Sequence, residues 1–247
     1  MKNLLKNLLC SVWKTLFQKK NQKHLFLMGH PRSGSSLLMH ILTSNNEIAG
    51  FGEYLIKYND SKSFDLAEFD IKRKSKSLFK SIKWVANQVN HHSITPEIEL
   101  LNSKDIKLII LLRKPEETLS SIFLLAERKQ KPMSQNDITK MYVERLNYFS
   151  LLINKVDRSQ WLFLTYESLL SEKEIALKKL SDFLEIKEML SPKYQLKQYT
   201  QVWGDPSENI KKGAIFKTNS KQIPWDKKLL EEANKVYENT ISNLLHF

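Results

Sequence analysis

The 247-residue sequence predicts an α/β fold: a single three-layer domain with a central parallel β-sheet flanked by helices, plus an N-terminal amphipathic helix. Three observations predict it. The runs HLFLM (24–28), KLIILLR (107–113) and WLFLTY (161–166) are short and almost continuously apolar, as strands buried on both faces are. Helical apolar spacing follows each run, and strands alternating with helices form parallel sheets through right-handed crossovers. The length suits one such domain with a sizeable core. Cys10 is the single cysteine, so an intrachain disulfide is excluded and a reducing compartment fits.

The boundaries expected are 1–23 for the basic helix and 24–247 for the α/β domain. In the first segment Leu4, Leu5, Leu8, Leu9, Val12, Trp13, Leu16 and Phe17 recur in pairs, with Lys6 and Lys14 on a polar face. Those lysines interrupt any apolar run long before the roughly 20 residues that a membrane crossing needs. A signal-peptide core with a small-residue cleavage site is not found either. Lys2, Lys6, Lys14, Lys19, Lys20 and Lys23 precede any acid, the first being Glu47, and supply half of the net charge of +12. Residues 3–20 therefore either pack on the domain, the favoured reading, or lie on an anionic membrane surface.

After HLFLM, Gly29, Pro31 and Gly34 make a loop, and Leu37, Leu38, Ile41 and Leu42 begin a helix. NNEIAGFGEYLIKYND reads as a loop carrying Glu53. Residues 61–80 read as a charged helix preceded by a loop, and SIKWVANQV (81–89) as a strand or that helix's end. His91, His92 and Pro96 break the pattern before a short helix over 97–104. Pro115, with Glu116 and Glu117 in the first turn, opens a helix to about Lys129. Amphipathic helices are expected over 136–156, 171–184 and 226–245. Between the last two, residues 200–225 lose periodicity and read as a long functional loop.

The loop in HLFLMGHPRSGSSL aims backbone N–H groups and a helix N-terminus at one point, which suits an oxyanion. Gly29 and Gly34 have the spacing of the phosphate loop G-x-x-x-x-G-K-[ST], but Ser35 replaces the lysine, Ser36 keeps the hydroxyl, and Arg32 brings the charge. A nucleoside triphosphate requires that lysine and a metal, so this loop suits a shorter 5′ anion. A second anion site lies in ILLRKPEETLSS. Arg113 ends a strand where a phosphate-transferring enzyme often carries a metal-binding Asp, and Ser121 follows eight residues later. A forked guanidinium and a hydroxyl can meet on one phosphate without a metal; the alternative is Arg113 paired with Glu116 or Glu117.

The segment P-R-S-G-[ST]-[ST]-L resembles the 5′-phosphosulfate loop of sulfotransferases that use 3′-phosphoadenosine 5′-phosphosulfate (PAPS), and Arg113 with Ser121 resembles their 3′-phosphate site. The resemblance runs over about residues 24–225 and is weak between 55 and 105. It implies a P-loop-like domain, closer to the bacterial, tyrosylprotein and carbohydrate branches than to the cytosolic branch, whose R-K-G pattern is absent. It implies that Arg32, Ser33, Gly34, Ser35, Ser36 and Leu37 hold the 5′ side, and that Arg32 is also catalytic. Tyr166, in a Y-E-x-L segment, is implied near the adenine, and Glu53 is implied as the general base, with His91 and His92 as second choice. Lys83 resembles a G-x-K lysine that steadies the sulfuryl group or the acceptor. VWGDPSEN resembles a cofactor-closing GDP-x-N segment, with Lys212 and also Lys211, Lys217 and Lys221 as phosphate contacts.

The expected activity is sulfuryl transfer from PAPS to a hydroxyl, on a glycan or glycolipid, with no metal and no nucleic-acid partner. The expected location is cytoplasmic, at the inner membrane surface if the first helix docks there. Two alternatives are a P-loop kinase, which lacks its lysine at position 35 and a metal carboxylate, and a non-catalytic basic membrane-binding module. The basic residues are spread along the chain without a nucleic-acid signature.

Overall fold

The computed structural model describes residues 2–17, 22–91, 94–196, 210–216 and 221–246. Its centre is a five-stranded sheet in the order β2-β3-β1-β4-β5, every pair parallel. The strands are β1 (Lys23–Gly29), β2 (Ile48–Gly50), β3 (Trp84–Val89), β4 (Ile106–Leu112) and β5 (Trp161–Thr165). The helices are α1 (Lys2–Phe17), α2 (Ser35–Ser44), α3 (Ser61–Lys74), α4 (Ile98–Leu101), α5 (Pro115–Arg128), α6 (Gln135–Ile153), α7 (Tyr166–Ser171), α8 (Lys173–Leu184) and α9 (Lys227–His246).

Side chains alternate across a strand, so the continuous apolar runs feed two cores. Phe26, Met28, Leu108, Ile110 and Leu112 face Ala67 and Ile71 of α3, Leu119 of α5, Tyr142, Leu146 and Phe149 of α6, and Tyr237 of α9. Leu25, Leu27, Ile109, Leu111 and Leu164 face Leu38 and Leu42 of α2 and Leu177, Leu180 and Leu184 of α8. These are the three layers. Local sequence sets the helix ends. Asp60 and Ser63 form a reciprocal cap on α3, Ser134 accepts the Asp137 N–H at the start of α6, and Pro115 occupies the first turn of α5.

Some expectations change. The stretch read as a loop after α2 contains the edge strand β2, only three residues long. Glycine is needed at its end, because a Cβ on Gly50 would lie 2.6 Å from the Thr43 methyl. SIKWVANQV is a strand, β3, not a helix end. The helix expected over 171–184 is α8, and the short helix α7 before it, from Tyr166 to Ser171, was not expected. VWGDPSEN and Lys217 lie outside the described residues, as does His92.

The sheet order makes β1 and β4 neighbours whose following helices lie on opposite faces, α2 on one and α5 on the other. Parallel sheets bind ligands beyond the carboxyl ends of their strands at such a switch point. The loop 30–34 leaves β1 there, and Arg113 leaves β4.

Candidate active site

The loop is built on His30, which is fully buried. Its Nδ1 lies 3.0 Å from the Pro31 carbonyl, and its Nε2 lies 3.0 Å from the backbone nitrogen of Arg113. A carbonyl only accepts and a backbone N–H only donates, so the proton sits on Nδ1 and Nε2 accepts. Burial pushes the imidazole down to about 4, against the help of the Pro31 carbonyl. A neutral ring thus ties the end of β1 to the end of β4. Arg32 follows in the left-handed region (φ 67°), which costs a non-glycine residue energy and recurs at ligand sites. The Ser33 N–H closes a turn on the His30 carbonyl (3.1 Å), and the Ser33 hydroxyl is buried with no partner among the described residues.

Gly34 is required twice over. Its φ is +93°, and a Cβ would stand 2.3 Å from the Tyr166 ring. It begins α2 without a side-chain cap. The first intrahelical bond runs from the Leu38 N–H to the Gly34 carbonyl (3.2 Å), so the N–H groups of Ser35, Ser36 and Leu37 form the open positive end of the helix.

Arg113 is held against that end. Its backbone N–H donates to His30, and its carbonyl accepts from the Tyr142 hydroxyl (2.8 Å). Its guanidinium lies 4.4 Å from the centre of the Tyr166 ring, reaches the Arg32 carbonyl (3.4 Å), and forks on Glu117, with Nε at 3.1 Å. The Glu117 pairing is the alternative foreseen from the sequence. The Arg32 Nε donates to the Ser121 hydroxyl (2.9 Å). Arg32, Arg113, Ser121 and Tyr166 therefore form one cluster. Glu167 steadies it by accepting the Lys114 N–H (3.1 Å).

Glu53 stands on the other side of the helix end. One carboxylate oxygen accepts the Asn90 N–H (3.2 Å) and lies 3.9 Å from His91 Nε2. The Asn90 side-chain amide donates to the Ser35 hydroxyl (3.0 Å), so Asn90 links Glu53 to the start of α2. Burial raises the Glu53 pKa above the usual carboxylate value, while His91, the Asn90 N–H and Arg145 pull it back. Arg145 is buried and donates to the Gly29 carbonyl (2.8 Å), the Val89 carbonyl (2.7 Å) and the Thr95 hydroxyl (2.9 Å). It pins the ends of β1 and β3. Burial lowers its pKa to about 10, so it stays charged at neutral pH.

One anticipated residue sits elsewhere. Lys83 precedes β3, so the whole strand, about 20 Å at ~3.3 Å per residue, separates it from the loop, and its ammonium pairs with Glu185 at 3.6 Å. Lys83 is not part of the site; a strand assigned from sequence does not reveal which of its ends faces the ligand. Lys212 lies in a short 3₁₀ turn with its ammonium 5.2 Å over the Phe216 ring; Lys211 and Lys221 are exposed. His30, Asn90 and Arg145 enter the site in roles that sequence reasoning missed. Arg145 left a signal, because it lies on the apolar stripe Ile138, Tyr142, Phe149, where a charge needs partners. Among the described residues no cluster of metal-ligating side chains occurs.

The arrangement is a two-arginine anion cradle on a helix N-terminus, with a partly buried carboxylate beside it. A family model for the sulfotransferase domain matches residues 22–246. No curated protein sequence matches the chain. Among solved structures, the sulfotransferase domain from the curacin biosynthetic pathway aligns with a TM-score of 0.61 at 15% identity, covering 88% of this chain and 97% of that one. The sulfotransferase domain of the Synechococcus PCC 7002 olefin synthase gives 0.57 at 16% identity, covering 94% and 98%. Mouse sulfotransferase SULT7A1 gives 0.53 at 14%, covering 95% and 88%. The structural likenesses speak for the fold, and the family match takes in nearly the whole chain: the protein belongs to the sulfotransferase-domain family.

Proposed function

We propose that this sulfotransferase moves a sulfuryl group from PAPS to the hydroxyl of a glycan or glycolipid acceptor, leaving adenosine 3′,5′-bisphosphate. The observation that carries the proposal is the convergence of Arg32, Arg113 and Ser121 at the uncapped N-terminus of α2. A donor with phosphates at both 5′ and 3′ positions suits two cationic groups on one helix end. Arg113 Nε and Nη2 both donate to one Glu117 oxygen, Oε2, an acceptor that a phosphate oxygen would have to displace. The mouse neighbour was crystallised in complex with PAP, the bisphosphate product.

In this reading the N–H groups of residues 34–37 hold the 5′-phosphate. Arg113 and Ser121 hold the 3′-phosphate, and Tyr166 lies beside the base. The acceptor oxygen attacks sulfur as the bond from sulfur to the bridging oxygen breaks, and that electron pair passes to the 5′-phosphate. Arg32 stabilises the charge developing there. Glu53 takes the acceptor proton, and its raised pKa suits a general base. We assign the enzyme to the cytoplasm, supported by its single cysteine.

Calorimetric titration with adenosine 3′,5′-bisphosphate, 5′-AMP and ATP–Mg²⁺ tests the donor. The bisphosphate should bind at least tenfold more tightly than 5′-AMP, and Arg113→Ala should remove that difference. Tighter binding of ATP–Mg²⁺ would instead favour a kinase. Glu53→Gln should keep bisphosphate affinity and lose about a hundredfold or more in turnover; full activity would move the base elsewhere, with His91 next.

A further inference from the structure

α1 docks by an unexpected side. Cys10 and Trp13 are buried against Phe69 of α3, and the Trp13 indole donates to the Leu78 carbonyl (3.3 Å). Lys6 and Lys14 turn inward to pair with Asp70 and Asp65. The leucine stripe faces away. Leu5, Leu8, Leu9, Val12 and Leu16, spaced i, i+3, i+4, i+7 and i+11, are between 50% (Val12) and 65% (Leu16) exposed. Phe17 and Phe79 extend the ridge beyond α3, with rings 5.2 Å apart and edge to face, and Phe79 is 75% exposed. Single exposed leucines are ordinary, but a continuous apolar ridge marks an interaction surface.

Basic residues cluster in the N-terminal segment and in the stretch that runs from the end of α3 to β3. Residues 1–23 contain six basic and no acidic residues, and residues 71–83 again contain six and none. Together they equal the whole net charge of +12, so the rest of the chain is balanced. The acids Asp70, Asp65 and Glu68 of α3 take Lys6, Lys14 and Lys72, so the outward charge beside the ridge comes from the exposed cations at and after the end of α3. Arg73, Lys74, Lys76 and Lys80 are exposed around Phe79.

We infer that this face is the docking surface for an anionic lipid bilayer. The leucine ridge enters the interface while the lysines and Arg73 meet the lipid phosphates. Charge complementarity selects this occupant. A second copy of the chain would set two such basic blocks against each other, and a nucleic acid has no use for a leucine ridge. Packing on the domain and membrane binding, which the sequence poses as alternatives, use different sides of one helix. The surface adjoins the segment that carries Glu53: Lys6 donates to the Tyr54 hydroxyl (3.1 Å), and the Lys74 ammonium lies 4.5 Å from the Phe51 ring centre. The inference does not rest on the sulfuryl-transfer reading.

Vesicle co-sedimentation of the full chain tests it, with pure phosphatidylcholine against phosphatidylcholine containing about a third phosphatidylglycerol. Binding should require the anionic lipid and weaken strongly in 0.5 M NaCl. The triple variant Leu5→Ser, Leu8→Ser, Leu16→Ser should lose at least tenfold in vesicle affinity. Lys76→Glu with Lys80→Glu should lose several-fold. Both should keep the parent's melting temperature and nucleotide binding, since the positions are exposed. The inference is overturned if the full chain ignores anionic vesicles, if the leucine variant binds them as well as the parent, or if the chain is a dimer that the same leucine changes dissociate.

Discussion

At the scale of single residues, the site depends on groups whose chemistry is set by what encloses them. Arg32 is held at φ 67° with its Nε on Ser121, and the catalytic role proposed for it makes a specific demand on kinetics. Arg32→Ala should therefore lower turnover by about a hundredfold or more while changing bisphosphate affinity less than tenfold. An equal loss in both parameters would give Arg32 a binding role only. His30 gives a pH prediction. Its pKa falls from 6.5 to about 4 on folding, so between those values the unfolded chain holds the extra proton and stability rises with pH. Stability is complete above pH 6.5 and declines as pH falls toward 4, by up to about 3 kcal/mol from this group. Urea unfolding across that window should show the decline. His30→Gln, whose amide can still accept the Arg113 N–H, should make it shallower but not remove it, because burial also pushes His24 down to about 4. Arg32, Arg113 and Glu53 were legible because their spacing from glycine-rich or strand segments is a local property of the chain. Asn90 and His30 were not, because their importance arises from contacts at the site that the fold creates.

At the scale of elements, the cradle is a strand end, a loop and a helix start that must fit against α7. Gly34→Ala places a methyl within the Tyr166 ring and demands a left-handed φ. The expected result is a loss of about 1–3 kcal/mol in stability and at least a tenfold loss of bisphosphate binding. Gly34→Ala combined with Tyr166→Ala should recover part of the stability by removing the clash, though not the φ strain. If the double variant is no more stable than Gly34→Ala alone, the ring does not constrain the loop. The elements themselves were legible in proportion to the length and continuity of their apolar runs. β1, β4 and β5 read clearly because their runs are almost continuously apolar. β3 was ambiguous because Asn87 and Gln88 interrupt it, although Asn87 is buried and its side chain binds the Tyr54 N–H and the Tyr58 hydroxyl. β2 was missed because three residues ending in glycine carry no period.

At the scale of the whole molecule, the sheet and both anion-binding segments lie within residues 22–246, and α1 is an addition to α3. The order of the strands, and with it the meeting of the β1 loop and Arg113, was readable only as an expectation from alternating strands and helices. The direction of α1's leucine stripe was not readable at all, because amphipathicity defines a face without saying what it meets. Removing residues 1–20 should leave the nucleotide site intact and uncover Phe69, Leu66 and Leu78. It would also take Lys6 from Asp70, whose carboxyl burial pushes up but which Lys6, the Tyr54 hydroxyl and Arg73 together hold below its usual value. The expected cost is about 2–3 kcal/mol from the Trp13 contact and its ion pairs, a fall of roughly 5–10 °C in melting temperature for a domain of this size. Bisphosphate affinity and turnover of a water-soluble acceptor should stay within about twofold of the full chain, because α1 touches none of Arg32, Arg113, Ser121 or Glu53 in the contacts described. A truncated protein that is folded and binds the bisphosphate but has lost turnover would show that α1 acts on the reaction. The route would run through Lys6 and Tyr54, where the helix meets the segment carrying the proposed base.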